Sequence, residues 1–304
     1  MNWLIAAFLS PALFAVSNHL DKYLMQTYFR KAGVGALIIF SSLIYLLALP
    51  LLYIFKPAVF GVSVLQAFLL ITECLLGILG ILIYLWVMKK EETSVVVPFF
   101  QTIPIFYLVL GYIVLGEILT LTQILGSFVI IIGSTLLSLD LGDRKKLKIK
   151  FKVLLPMLLS SFLLSLTGLI FKYVALETDF WTSTFWEYTG AIIASVIFLG
   201  LIPTYRREFI SVFNKSGFPV VALNAANEAI NLTGTLALRF ASMFAPLALV
   251  QVIGGFQSVF AFVYGIILSL FFPKWGKEDL ATAVVIQKIL TITLILIGTY
   301  ILFA

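Results

Sequence analysis

The sequence predicts an all-α fold, a polytopic membrane protein of ten transmembrane helices arranged as two inverted five-helix repeats. Three observations carry this. Of 304 residues, 62% are hydrophobic and only 11% charged, and the mean hydropathy is +1.14, more apolar side chain than a water-soluble core can hide. Long apolar runs follow one another directly, whereas a transmembrane barrel would show short alternating strands of lower hydropathy. A spanning helix with its connection takes roughly 28 to 32 residues, so the length accommodates about ten spans and leaves no soluble domain.

Runs and breaks place the helices at 3–25, 34–55, 63–88, 95–115, 119–139, 153–175, 181–203, 217–240, 244–271 and 282–303. The first carries no Lys or Arg from Met1 to Ser10 and runs past signal-peptide length to Met25, so it reads as a retained helix. Asn18, His19, Asp21 and Lys22 lie near its end, where an interfacial hydrogen bond is the expected use of the histidine and snorkelling that of Lys22. The third helix has Glu73 at mid-span, with Gly77, Gly80 and Tyr84 continuing its face. Cys74 beside it is the sole cysteine, so neither a disulfide framework nor a cysteine metal cage can be built. The fourth contains Gln101 near Pro104. Gly126 and Gly133 give the fifth a close-packing face, against its neighbours or against a second protomer in a homodimer.

After the fifth helix comes the one composition shift, 139–152, with six cations, Arg144, Lys145, Lys146, Lys148, Lys150 and Lys152. It divides the chain into a first repeat, 1–140, a basic linker, 141–152, and a second repeat, 153–304. Six of the twenty cations behind the net charge of +6 lie there, which fits a solvated loop against anionic headgroups better than nucleic-acid binding. In the sixth helix Lys172 is expected to snorkel to the headgroups. Trp181, Trp186, Glu187 and Tyr188 open the seventh, either as interfacial anchors or as an aromatic wall beside a carboxylate suited to an ammonium group. The eighth holds Asn224, Asn227, Glu228 and Asn231 at i, i+3, i+4 and i+7, one polar face near mid-span that is either a binding pocket or interhelical glue. Gln251 lies in the ninth beside Gly254.

A shift of 150 positions brings Leu9, Ser10, Lys22, Tyr23, Gln101 and Phe106 onto Leu159, Ser160, Lys172, Tyr173, Gln251 and Phe256. The fifth helices match only fifteen positions later, where Ile124, Gly133 and Leu137 meet Ile289, Gly298 and Leu302, so the second half carries an insertion around 272–282. An odd number of spans per repeat makes the second copy enter the membrane from the opposite side, the geometry on which alternating access rests.

Pro98 and Pro104, then the Gly116-Glu117 turn with Leu121, Gln123, Gly126 and Gly133, are echoed in the second half by Ala245-Pro246, Gln251, Gly254 and Gly298. On these residues the chain resembles the drug/metabolite transporter superfamily, specifically its EamA-like ten-helix carriers. The likeness covers nearly the whole chain, though Pro273 to Lys288 replaces the compact Gly-Glu turn and leaves Glu278 without a clear match to Glu117. The resemblance implies a central pocket between the halves, lined by the first, third, fourth, sixth, eighth and ninth helices.

An ionisable side chain inside the bilayer should face a cavity or a partner. The expected substrate-binding residues are accordingly Glu228, Asn224, Asn227, Asn231, Glu73, Tyr84, Trp186, Glu187, Gln101 and Gln251, and Glu228 and Glu73 are the proton-coupling candidates because no intramembrane cation stands near them in the sequence. No catalytic residue, cofactor or metal is expected. There is no G-x-x-x-x-G-K-[ST], H-E-x-x-H or G-x-S-x-G, which argues against a nucleotide-driven pump or an intramembrane enzyme. The expected function is a secondary transporter in the cytoplasmic membrane moving a small polar or amphiphilic metabolite, an amine or amino acid among the candidates, with protons as the coupling ion. Its partners are that solute and membrane lipids, with no nucleic acid. A lipid or lipid-linked-sugar flippase, or an accessory membrane subunit, is the alternative. Connections after odd helices hold most of the cations, which places them on the cytoplasmic side, whereas the resemblance implies cytoplasmic termini.

Overall fold

The computed structural model describes residues 2–28, 39–42, 44–88, 97–138, 151–271 and 282–304. The basic linker up to residue 150, Glu278, and the connection cations Arg30, Lys31, Lys89, Lys90, Lys274 and Lys277 lie outside them. Every regular element among the described residues is helical. We number them α1 (Asn2–Thr27), α2 (Tyr45–Phe55, preceded by helical residues 39–42), α3 (Val64–Met88), α4 (Phe99–Leu115), α5 (Leu121–Ser138), α6 (Phe151–Glu177), α7 (Phe180–Leu201), α8 (Pro203–Phe244), α9 (Leu247–Phe271) and α10 (Thr282–Phe303).

Six of these are long and apolar enough to cross a membrane, and three shorter apolar helices, Ile39–Phe55, Phe99–Leu115 and Leu121–Leu137, accompany them. Large apolar side chains point outward from helices throughout the fold, among them Phe55, Val64, Ile113, Leu121, Leu201 and Tyr300, as lipid contact requires. The chain is a multi-pass membrane protein.

The helices pair across the halves. α1 packs on α8 and α6 on α3, while α2 meets α7, α4 meets α9 and α5 meets α10. Lipid tails are as apolar as leucine, so such contacts depend on close approach at small residues. The α5–α10 seam shows it: a β-carbon on Gly126 would stand 2.5 Å from the Leu302 amide nitrogen, and one on Gly298 would stand 2.9 Å from that of Ile130. Gly126 and Gly133 therefore face α10 of the same chain. On α3, Gly80 abuts the Ser160 carbonyl of α6, and Ser160 Oγ returns a hydrogen bond to the Gly80 carbonyl at 2.8 Å.

Two departures from the expected helices have local causes. Residues 204–216, expected as the connection between the seventh and eighth helices, are helical: Pro203 opens the turn, and Phe209 and Val212 pack on Leu24, Phe40 and Val220. This segment ends at Gly217, whose φ of 60° and ψ of −153° suit only glycine, and α8 then continues into the bundle. In the other departure, α4 is not a plain α-helix. A 3-10 turn through Thr102 leads into Ile103–Leu110, and Gly111–Leu115 forms a π turn closed by Gly116 at φ 67°. The left-handed glycine folds Glu117 back, so that its amide donates to the Gly111 carbonyl at 3.1 Å and its carboxylate lies where a β-carbon on Gly111 would be.

Candidate functional site

The polar residues inside the bundle form two clusters and one latch. Because α8 carries Glu228 and Arg239 eleven positions apart, about three turns, both project from one face, separated by roughly 16 Å along the axis. Each anchors a cluster.

At the Arg239 end, Nη2 donates to Glu187 Oε1 of α7 at 2.6 Å and to both Glu73 oxygens of α3 at 3.3 Å. Glu73 is completely buried, and the guanidinium also stacks over the Phe171 ring of α6, 4.6 Å from its centroid. Beside Arg239 is a cavity of about 20 Å³ lined by Tyr107, Gly168, Ser242 and Gln251, room for one water molecule. Four helices thus converge on two carboxylates sharing one cation.

At the Glu228 end, Ser41 Oγ donates to Glu228 Oε1 at 2.5 Å and Asn231 Nδ2 donates to Oε2 at 3.4 Å. Asn227 Nδ2 donates to Asp21 Oδ1 of α1 at 2.7 Å. The Oδ1 atoms of Asn224 and Asn227 are buried and accept no hydrogen bond. Between the clusters, the rings of Tyr45 and Tyr188 pack 4.7 Å apart, centroid to centroid.

The latch joins the folded-back Glu117 to Lys172 of α6. Lys172 Nζ donates to Glu117 Oε1 at 2.5 Å and to the Ala245 carbonyl at 2.8 Å, and the Leu247 amide, in the first turn of α9, donates to Glu117 Oε2 at 2.9 Å. An acid at a helix N-terminus satisfies an amide that the helix itself cannot.

Several expectations change. Glu73 has a cation partner after all: Arg239, at the very end of the expected eighth helix, 217–240, lies inside α8 and binds it. Lys172 does not snorkel but is buried against Glu117, whereas Lys22, which the 150-position shift aligns with it, is exposed. Glu73 and Glu228 fall into different clusters rather than meeting. Glu187 joins the first cluster, while Trp186 donates Nε1 to the Val59 carbonyl at 2.8 Å, in the turn before α3. Tyr84 packs on Phe100 beside Val87, Val153 and Met157, away from Arg239. Gln251 lines the small cavity; Gln101, in the 3-10 turn, does not. His19 bonds the Ala261 carbonyl at 3.0 Å. Sequence reasoning missed Arg239, Asp21 and Ser41 as partners. Arg239 was legible in one respect: it continues the Glu228 face of α8.

Among the described residues, no group of three or more His, Cys, Asp or Glu gathers as a metal centre.

Residues 1–139, just under half of the chain, match the model of the EamA-like transporter family, in agreement with the drug/metabolite transporter resemblance. No curated protein matches the chain. Sixteen solved chains do, one of them described only as the crystal structure of a protein; it superposes with a TM-score of 0.65 over 99% of this chain and 94% of its own, at 14% identity, and so shows a shared fold.

Proposed function

We propose that the chain is a secondary transporter of a small polar solute bearing an ammonium group, an amine or amino acid, working by alternating access between inverted repeats in the cytoplasmic membrane. The observation that carries this is the Glu73–Arg239–Glu187 network. Two carboxylates on one guanidinium leave one negative charge uncompensated in a low-dielectric interior, and a proton or a cationic solute supplies the balance. Competition between the two for one site lets a proton gradient drive the solute. The aromatic walls beside it, Phe171 and Tyr188, suit an ammonium, and an amino acid could add its own carboxylate to Arg239.

The cross-half helix pairing supports inverted repeats, since each first helix packs on the other half's third. A lateral opening lined by Lys22 or Lys172 would favour the flippase alternative; Lys172 is engaged by Glu117, which removes one of those two cations from that role, while Lys22 is exposed.

The test is a thermal-shift screen of purified protein against amines, amino acids, cholines, nucleosides and sugars, followed by affinity measured against pH. We expect stabilisation by an ammonium-bearing solute, lost in Glu187→Gln, and tighter binding from about pH 5.5 to 8 as protons cease to compete. Stabilisation by sugars or nucleosides alone, retained in Glu187→Gln, would refute the reading.

A further inference from the structure

The Glu228 cluster has a composition that the solute reading does not use. Its donors are oxygen: the carboxylates of Asp21 and Glu228, the amide oxygens of Asn224 and Asn227, and the Ser41 hydroxyl. Asn224 and Asn227 are 2% and 0% exposed, yet the Oδ1 atom of each accepts nothing, an arrangement that a membrane interior penalises. The amide groups of Asn227 and Asn231 and the Ser41 hydroxyl already donate to the carboxylates, whose remaining lone pairs stay open to a cation. Among the described residues no Lys, Arg or His bonds to either one. Two carboxylates and two orphan carbonyl oxygens, carried by α1 and α8, thus have no cation bonded to them among the described residues.

We propose that Asp21, Glu228, Asn224, Asn227 and Ser41 form a binding site for a hard metal cation, Na⁺ or Ca²⁺, coordinated by oxygen alone. Such cations take carboxylate, amide and hydroxyl oxygens and need neither histidine nor cysteine, so two carboxylates, short of a group of three or more His, Cys, Asp or Glu, are completed here by amide and hydroxyl oxygens. Coordination satisfies both orphan amides and neutralises charge in one step. The site spans α1 and α8, one repeat each, so its geometry depends on how the halves sit, and an ion held there couples its gradient to their movement. It is separate from the Arg239 cluster, about three helical turns away.

Equilibrium binding of radiolabelled Na⁺ and, separately, Ca²⁺ to detergent-purified full-length protein tests it, with choline chloride holding ionic strength constant. We expect saturable binding of one of the two, weakened at least about tenfold in Glu228→Gln and Asp21→Asn. Asn224→Leu, which removes an amide oxygen but no charge, should weaken it severalfold and serves where a charge variant does not fold. Glu187→Gln should lose solute binding yet keep cation binding, which separates this proposal from the solute reading. No binding of either ion above the choline background, or wild-type affinity in Glu228→Gln or Asn224→Leu, overturns it.

Discussion

Lys172 and Glu117, 55 residues apart, form a nearly buried ion pair at 2.5 Å that closes one end of the bundle, where α4, α6 and α9 meet. Lys22, which the 150-position shift aligns with Lys172, is exposed, so the two aligned lysines differ in whether they are latched. Glu117 at a helix turn reads as peripheral in the sequence; the fold makes it the acceptor for both a buried ammonium and a helix N-terminus.

Breaking the latch from one side should be costly. Glu117→Ala leaves Lys172 buried without its counter-ion, and a loss of about 3 to 5 kcal/mol is expected, read as a lower melting temperature in detergent. The double variant Glu117→Gln/Lys172→Met removes both charges and should recover most of that loss. A double variant as unstable as Glu117→Ala would mean the pair is not what holds this end.

Arg239→Gln should be more damaging than Glu187→Gln. The first strands two carboxylates, one of them wholly buried, whereas the second leaves Arg239 with Glu73 as a balanced pair. Melting temperatures should fall in that order, with Arg239→Gln costing about 3 kcal/mol or more. Adding Glu73→Gln to Arg239→Gln should restore part of it, and failure to do so would argue that Arg239 acts by packing on Phe171 instead.

The α5–α10 seam should reject volume. In Gly126→Ala the new methyl group meets the Leu302 backbone, which cannot rotate away, and about 1 to 3 kcal/mol of destabilisation is expected. Gly200→Ala, with nothing near a β-carbon there, should be neutral or slightly stabilising because alanine favours the helix. Equal effects in a thermal unfolding assay would contradict the close-packed seam.

Acid should destabilise the α6–α7 corner. Partial burial pushes Asp179 upward, but the Lys56 ammonium and the Thr182 hydroxyl and amide outweigh it, and the carboxyl sits below its ordinary value of 3.8. A carboxyl depressed in the folded state stabilises fully above its unfolded pKa, and that contribution disappears as pH falls through the folded value. Thermal stability should therefore decline below about pH 4, and Lys56→Gln should make the decline shallower. A Lys56→Gln profile parallel to wild type would sink the assignment.

Charge asymmetry predicts orientation. On the side carrying the turns after α2, α4, α6 and α8, Lys172 and Arg239 are neutralised inside the bundle and Lys56 pairs with Asp179, which leaves the cation excess to the opposite connections. A cysteine introduced at Lys146 in a Cys74→Ser background should resist an impermeant reagent in intact cells; rapid labelling would reverse the assignment.

The sequence by itself determined the class and the helices. Mean hydropathy and run length report each segment's preference for lipid, a local property, and the Asn224–Glu228–Asn231 face is legible because the helical period alone aligns those positions. It did not determine the 204–216 helix, since that segment reads as a connection until Phe209 and Val212 find Leu24 and Phe40. Nor did it determine the clusters. Periodicity says which residues share a face but not which face of another helix they meet, and Glu73 lies 166 positions from Arg239, Asp21 206 from Asn227. Only the packing of α1 on α8 and of α3 beside α7 and α6 brings those charges together. Within a membrane interior that offers no water, where each buried charge finds its partner decides which carboxylates are balanced and which remain available for chemistry.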